Sequence, residues 1–335
     1  MSISIDVAQA ADRGFPPVLA AIAAGRIPGG VLGVVDRQGR RALRHAGFAQ
    51  RVPDDVPMRG DTVFDLASLT KPVFTTTALL AQVSVGRIAL SDTLGQLIPD
   101  LRQYQVDTAP ERRLTLQYCL AHRTHLPAVE PLYTYGQPPA TLRAFILQRA
   151  WPVGPAVYSD INFLLAGIAL ERITGRPLAA QPLADGFSFR PDPQDCAATE
   201  FCTWRGRVMR GEVHDENAYA FGGAAGHAGL FGTADALLDF AARTLRDTPA
   251  DAAIRQRVHA DRSIGWQLPG PGWSGSDACS AATIGHTGFT GTGLWLDFDR
   301  GCAWTLLTNR VHPSRHFDSG IVALRRAVGA AVLAG

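Results

Sequence analysis

Ser68 and Lys71 stand three residues apart in the stretch FDLASLTKPVFTTTALLAQ, and Lys71 is the only lysine in the chain. The other 31 of the 32 Lys and Arg residues are arginine. A guanidinium keeps its proton in a protein, whereas an amine removed from water can lose one near neutral pH. Arginine can serve as a surface charge, a phosphate clamp or a salt bridge, but not as a general base. Ser-x-x-Lys is short and recurs by chance, so a leftover surface lysine is the plain alternative; the solitude of Lys71 favours chemistry. On a helix, residues i and i+3 share one face, so the two side chains would meet. A helix that begins at Ser68 puts its positive end behind the hydroxyl, where it favours a developing anion. Burial of that helix start would desolvate the amine and lower its pKa, as a base requires.

A serine–lysine pair needs a second proton handler and an oxyanion hole. Tyr158-Ser159-Asp160 precedes an apolar helical run, and His286-Thr287-Gly288 lies in the glycine-rich GHTGFTGTG. Taken singly, a core tyrosine and a glycine turn explain both stretches. Gly288, Gly291 and Gly293 do not have dinucleotide-binding spacing, and no βαβ unit surrounds them. His214, Asp215, Glu216 and His227 are possible metal ligands, but their spacing matches no standard zinc motif. No metal and no cofactor is expected.

The elements around these residues follow from periodicity. Residues 6–25 read as an amphipathic helix interrupted near Pro16 and Pro17. Two β-prone runs flank the turn Asp36 to Gly39 and predict an antiparallel hairpin. A helix is expected from Ser68 to about Val85, with Pro72 in its first turn and Gly86 as its cap. Further helices are expected at 115–122, 140–150, 160–174 and 233–246, and 180–232 reads as loop. Strands return on either side of Asp299-Arg300-Gly301, and a helix closes the chain. The expected fold class is α+β: an antiparallel sheet flanked by N- and C-terminal helices, with a helical insert beside it and the site between them. The corresponding division is 1–66 with 250–335 as a discontinuous sheet domain, and 67–249 as a mainly helical domain with lid-like loops.

The totals read as an ordinary soluble globular protein rather than a disordered one. The chain has 335 residues, 46% hydrophobic and 19% charged, with a net charge of +2. That balance gives no steering toward nucleic acid or acidic membranes. Five cysteines at irregular spacing suit reduced thiols. No apolar run reaches the length of about 18 residues needed to span a membrane, and the N-terminal stretch lacks signal-peptide features; a cytoplasmic protein is expected.

Taken in order, SLTK, YSD and HTG resemble the three motifs of the β-lactamase and penicillin-binding-protein superfamily, most closely its class C-like esterase and peptidase branch. LTLQYCLAHRTHLPA and AAGHAGLFGTADALLDFA are similar to two further family segments, and the likeness spans about residues 28 to 310. The resemblance implies acyl transfer: Ser68 as nucleophile, Lys71 and Tyr158 sharing its proton, and the N–H groups of Ser68 and Phe289 as oxyanion hole. His286, Gly288, Phe289 and Asp160 would contact substrate. Three departures stand out. Asp160 replaces the usual Asn, and a carboxylate beside Lys71 would keep it charged, which makes a Tyr158 phenolate the main base. His286 replaces the lactamase lysine of the third motif, which weakens recognition of a β-lactam carboxylate. His125 stands where the family has Gly. The implied function is a serine hydrolase of a small ester, carboxylesterase-like. An amidase or D-peptidase on peptidoglycan fragments, a β-lactamase, an acyltransferase and a non-catalytic binding protein are the alternatives. The expected partner is a small ester, amide or muropeptide-like substrate, with neither nucleic acid nor membrane; the sequence does not speak to oligomeric state.

Overall fold

Near-continuous apolar runs suit strands buried on both faces, and GGVLGVVD is one. In the computed structural model, which describes residues 5–246 and 252–334, it forms a strand whose every residue is buried. In chain order the strands are β1 Gly29–Asp36, β2 Arg41–Gln50, β3 Val56–Pro57, β4 Phe64–Asp65, β5 Phe187–Ser188, β6 Ala198–Cys202, β7 Arg207–Arg210, β8 Phe231–Gly232, β9 Thr283–Thr287, β10 Thr292–Asp297 and β11 Cys302–Thr308. The main sheet is antiparallel in the order β3-β2-β1-β11-β10-β9, so β1 near the start pairs with β11 near the end. The fold class is α+β, as expected.

Alternation along β1 sends Leu32 and Val34 to one face and Val31 and Val35 to the other. The first face packs with the helices Val7–Gly14, Pro16–Ala23 and Ile321–Leu333. Trp295 and Trp304 pair across β10 and β11 on this face, with ring centroids 5.7 Å apart. The second face belongs to the larger core, which includes Leu237, Leu238 and Ala241 of the helix Ala234–Thr244. Phe15 separates the first two helices just before Pro16, where the interruption is expected.

Two expectations change. The segment from Ser68 is not one α-helix: it is a 3-10 turn Ala67–Leu69, a π-helical turn Lys71–Thr76 and an α-helix Thr77–Ser84. A π turn inserts a wider backbone loop and is frequent at functional sites. The reading of 180–232 as loop is also corrected. It holds the β6–β7 hairpin, the short helix Glu216–Ala220, and β5 and β8 paired beside β4. These elements are only two to five residues long, too short for a hydrophobic period to mark them in the sequence.

The helix Asp160–Thr174 is buried along Ile161–Leu170 and ends at Gly175 in the left-handed region. A loop passes close against it at Gly226. A Cβ on Gly226 would lie 2.0 Å from Phe163 O and 2.9 Å from Gly167 Cα. This approach lets Thr75 Oγ1 donate to Gly226 O (2.7 Å) and sets the next residue, His227, beside Lys71. Because backbone meets backbone there, Gly226→Ala is expected to destabilise the fold by about 3 kcal/mol, the upper end for overpacking. A urea midpoint indistinguishable from wild type would contradict this packing.

Candidate active site

The site begins with backbone geometry. Ala67 has φ +47°, a region sparsely populated by residues with a Cβ. Buried Asp65 holds it there: Oδ1 accepts from Ala67 N (2.8 Å) and Oδ2 from His214 N (2.6 Å). Burial pushes the Asp65 carboxyl up, against those two N–H donors. Thr70 Oγ1 donates to Ala67 O (2.7 Å) and accepts from Leu230 N (3.1 Å), tying the turn to the loop before β8. Ser68 is thereby fixed at the floor of the cleft.

Lys71 is wholly buried, and three oxygens surround its Nζ. Ser68 Oγ lies at 2.8 Å, Asp160 Oδ1 at 2.8 Å and His227 O at 3.1 Å. The Asp160 contact is an ion pair, not an aligned hydrogen bond. Burial alone would push the amine's pKa down; the charge of Asp160, then Tyr158, outweighs it and raises the pKa above the ordinary value. The sequence argument from burial is overridden, and the argument from Asp160 stands. Asp215 is a third exposed and faces the same ammonium. Burial would raise its carboxyl, but His227, 2.9 Å away, holds it well below the usual range. Ligand atoms of Asp160, Asp215 and His227 fall within 4.8 Å of one another, and the Lys71 ammonium supplies positive charge to that group.

Tyr158 is half-exposed at the cleft wall, not in the core. Its ring lies 4.3 Å from that of His122 and 6.0 Å from that of His286, and the Lys71 ammonium sits 5.0 Å from its centroid. His122 Nδ1 accepts from Ser159 N (3.0 Å), which fixes the peptide between Tyr158 and Asp160. Asn162 does not replace the missing amide; it takes a hydrogen bond from Thr124. His125 has φ +64° and is held by ring and backbone bonds to Gly154 (2.9 and 3.0 Å). Glycine suits that left-handed position, and His takes it with two tethers.

Across the cleft, β9 presents His286, and the turn to β10 presents Gly288 and Phe289. A Cβ on Gly288 would lie 2.4 Å from Leu66 O, so only glycine lets this turn approach the Ser68 segment. The Phe289 N–H finds no acceptor among the described residues. The cleft has a volume of about 520 Å³ and includes Ser68, Tyr158, Asp160, His286, Gly288 and Phe289 in its lining. All six come from the motifs read in the sequence, with Lys71 directly beneath them.

These findings place the chain among known proteins. The model of the Beta-lactamase family matches residues 17–328. The chain belongs to the beta-lactamase family. It is a serine hydrolase of the beta-lactamase fold. It is 29% identical to an N-acetylmuramyl-L-alanine amidase of Bacillus subtilis, over 87% of this chain and 79% of that protein. It is also 29% identical to a putative D-alanyl-D-alanine carboxypeptidase of Salmonella agona, over 75% of this chain and 70% of that one. Among solved structures it is similar to EstCE1, a hydrolase with promiscuous acyltransferase activity, at a TM-score of 0.72 and 21% identity, covering 97% of this chain and 99% of that chain.

Beyond the family motifs lie residues the sequence reading missed. Arg262, Arg310, Arg315 and Arg325 line the cleft, and Asp65 and His122 support it. Asp65 lies in the first motif's own stretch and His122 in the fourth, where a polar residue inside an apolar run was the available signal. The arginines arrive from distant segments and carry no such signal.

His122 and His286 give a pH prediction. Burial first, then nearby cations including Lys71 and Arg262, holds both imidazoles well below 6.5. Both are neutral in the fold and would charge more readily unfolded. Their stabilisation is therefore present above pH 6.5 and lost as pH falls toward the folded values. His122→Asn, whose amide oxygen can replace Nδ1, is expected to flatten the fall in urea midpoint between about pH 6.5 and 5. An unchanged slope would contradict a neutral His122.

Proposed function

We propose that Ser68 forms the acyl-enzyme and that Tyr158, not Lys71, handles its proton. The supporting observation is the ring of three oxygens around Lys71 Nζ at 2.8, 2.8 and 3.1 Å. An ammonium donates to Ser68 Oγ and to the His227 carbonyl and pairs its charge with the Asp160 carboxylate, and in that form it has no lone pair to act as base. The ammonium orients Ser68 Oγ and stabilises the Tyr158 phenolate. The phenolate takes the serine proton as Oγ bonds to the substrate carbonyl carbon. It then returns the proton to the leaving oxygen or nitrogen as that bond breaks. Water repeats the cycle, with Tyr158 as base, and releases the acid from Ser68. The N–H groups of Ser68 and Phe289 receive the developing oxyanion. His286, neutral and with Nδ1 against Thr287 O (3.0 Å), keeps a buried Nε2 that has no partner among the described residues and is suited to a polar atom of the substrate.

The substrate class is a small ester or amide. Within it, a peptidoglycan-derived amide is favoured by two observations: the named activities of the amidase and carboxypeptidase relatives, and the presence of Arg262 and Arg310 in the lining of the cleft. Such a fragment carries carboxylates that guanidinium groups recognise.

With p-nitrophenyl acetate, wild type is expected to show a burst and a Ser68 acetyl adduct by intact mass, both absent in Ser68→Ala. Equal turnover by the two proteins would sink the assignment. Tyr158→Phe is expected to lower kcat about a hundredfold or more. An unchanged kcat in Tyr158→Phe would return the role of base to Lys71.

A further inference from the structure

Arg325 projects from the C-terminal helix Ile321–Leu333 into the base of the cleft and is 6% exposed. A buried guanidinium normally has a carboxylate partner, because an unpaired charge out of water is costly. Arg325 has none among the described residues, and its Nε lacks any hydrogen-bond partner. Burial, with Arg310 nearby, pushes its pKa down to about 9, which leaves it charged at neutral pH.

Its contacts show where the charge is directed. Nη2 donates to Gly288 O (2.9 Å) and Thr292 O (2.8 Å), bridging the two ends of the turn between β9 and β10. Gly288 O belongs to the same peptide unit as the Phe289 N–H. That unit is trans, so its oxygen and its N–H point in opposite directions: the oxygen to Arg325, the N–H away from it. A cation on the oxygen withdraws electrons from the amide and strengthens the N–H as a donor. Arg310 holds the next carbonyl, donating from Nε to Phe289 O (2.8 Å).

We infer that Arg325 is a positioning residue for the oxyanion hole: it fixes and polarises the Gly288–Phe289 peptide, and its unpaired charge is balanced by the oxyanion formed at Ser68. The inference rests on the reading of Phe289 N–H as an oxyanion donor. It asks for no charge on the substrate, because the counter-charge develops during the reaction.

The test uses the neutral ester p-nitrophenyl acetate and a phenylboronic acid, which forms a tetrahedral adduct on the nucleophile. Arg325→Met is expected to lower kcat about tenfold to a hundredfold with KM within about twofold, less than the loss of a whole oxyanion donor. Boronate affinity is expected to fall in proportion, and Arg325→Lys to retain part of both. Should Arg325→Met fail to fold, Arg325→Lys decides: kcat lowered several-fold at unchanged KM supports the inference, and unchanged kcat overturns it. Neutral-ester turnover unchanged, with KM raised only for carboxylate-bearing substrates, would make Arg325 a ground-state anion subsite and overturn it. Lower kcat with unchanged boronate affinity would reduce Arg325 to a structural role. A wild-type Ser68 adduct without any Arg325 effect defeats this inference alone, whereas no Ser68 adduct in wild type defeats the earlier reading and this one with it.

Discussion

The arrangement depends on burying one ammonium ion. Taking a charge out of water costs several kcal/mol, a cost met only where partners satisfy it in good geometry. The partners of Lys71 come from three separate segments: Ser68 from its own turn, Asp160 from the start of the long buried helix, and the His227 carbonyl from the loop before β8. Each segment must be delivered to within hydrogen-bond reach, and much of the surrounding structure does that. The π turn sets Lys71 against Ser68, the Gly226–Gly167 approach brings in His227, and His122 fixes the peptide that presents Asp160. Loss of any one would leave a buried charge under-coordinated.

The same electrostatics recur on the opposite wall in reverse. Arg315 is matched by Glu200 and Glu216, while Arg310 and Arg325 bond to turn carbonyls and have no carboxylate partner among the described residues. One wall therefore holds a cation whose charge is spent on fixing the nucleophile and base. The other holds cations whose charge is left for what arrives or forms in the cleft. A neutral His286 between them avoids adding a further positive charge.

Much of this was legible in the sequence because it is local. The i, i+3 relation of Ser68 and Lys71, the β1–β2 hairpin around Asp36 to Gly39, and the helix 160–174 each depend on neighbours in the chain. The consequence of Asp160 was also readable, since a carboxylate one motif away from a lone lysine has only one electrostatic effect. What was hidden is either non-local or conformational. The π turn is a register of backbone bonds that residue propensity does not encode. Arg325 lies 37 residues after Gly288, and only the folding of the last helix onto the sheet joins them. His125 looked like an unexplained substitution until its positive φ showed that the position asks for a backbone conformation rather than a side chain.

The central claim is that Lys71 remains an ammonium throughout the working pH range. Because it is the only lysine in the chain, ε-13C-lysine labelling gives a single side-chain signal that can be followed by NMR across a pH titration. The account predicts the chemical shift of a charged amine with no titration below about pH 10, the range of an unperturbed lysine. A midpoint near neutral pH would contradict it, and would make Lys71 the base that its solitude in the sequence first suggested.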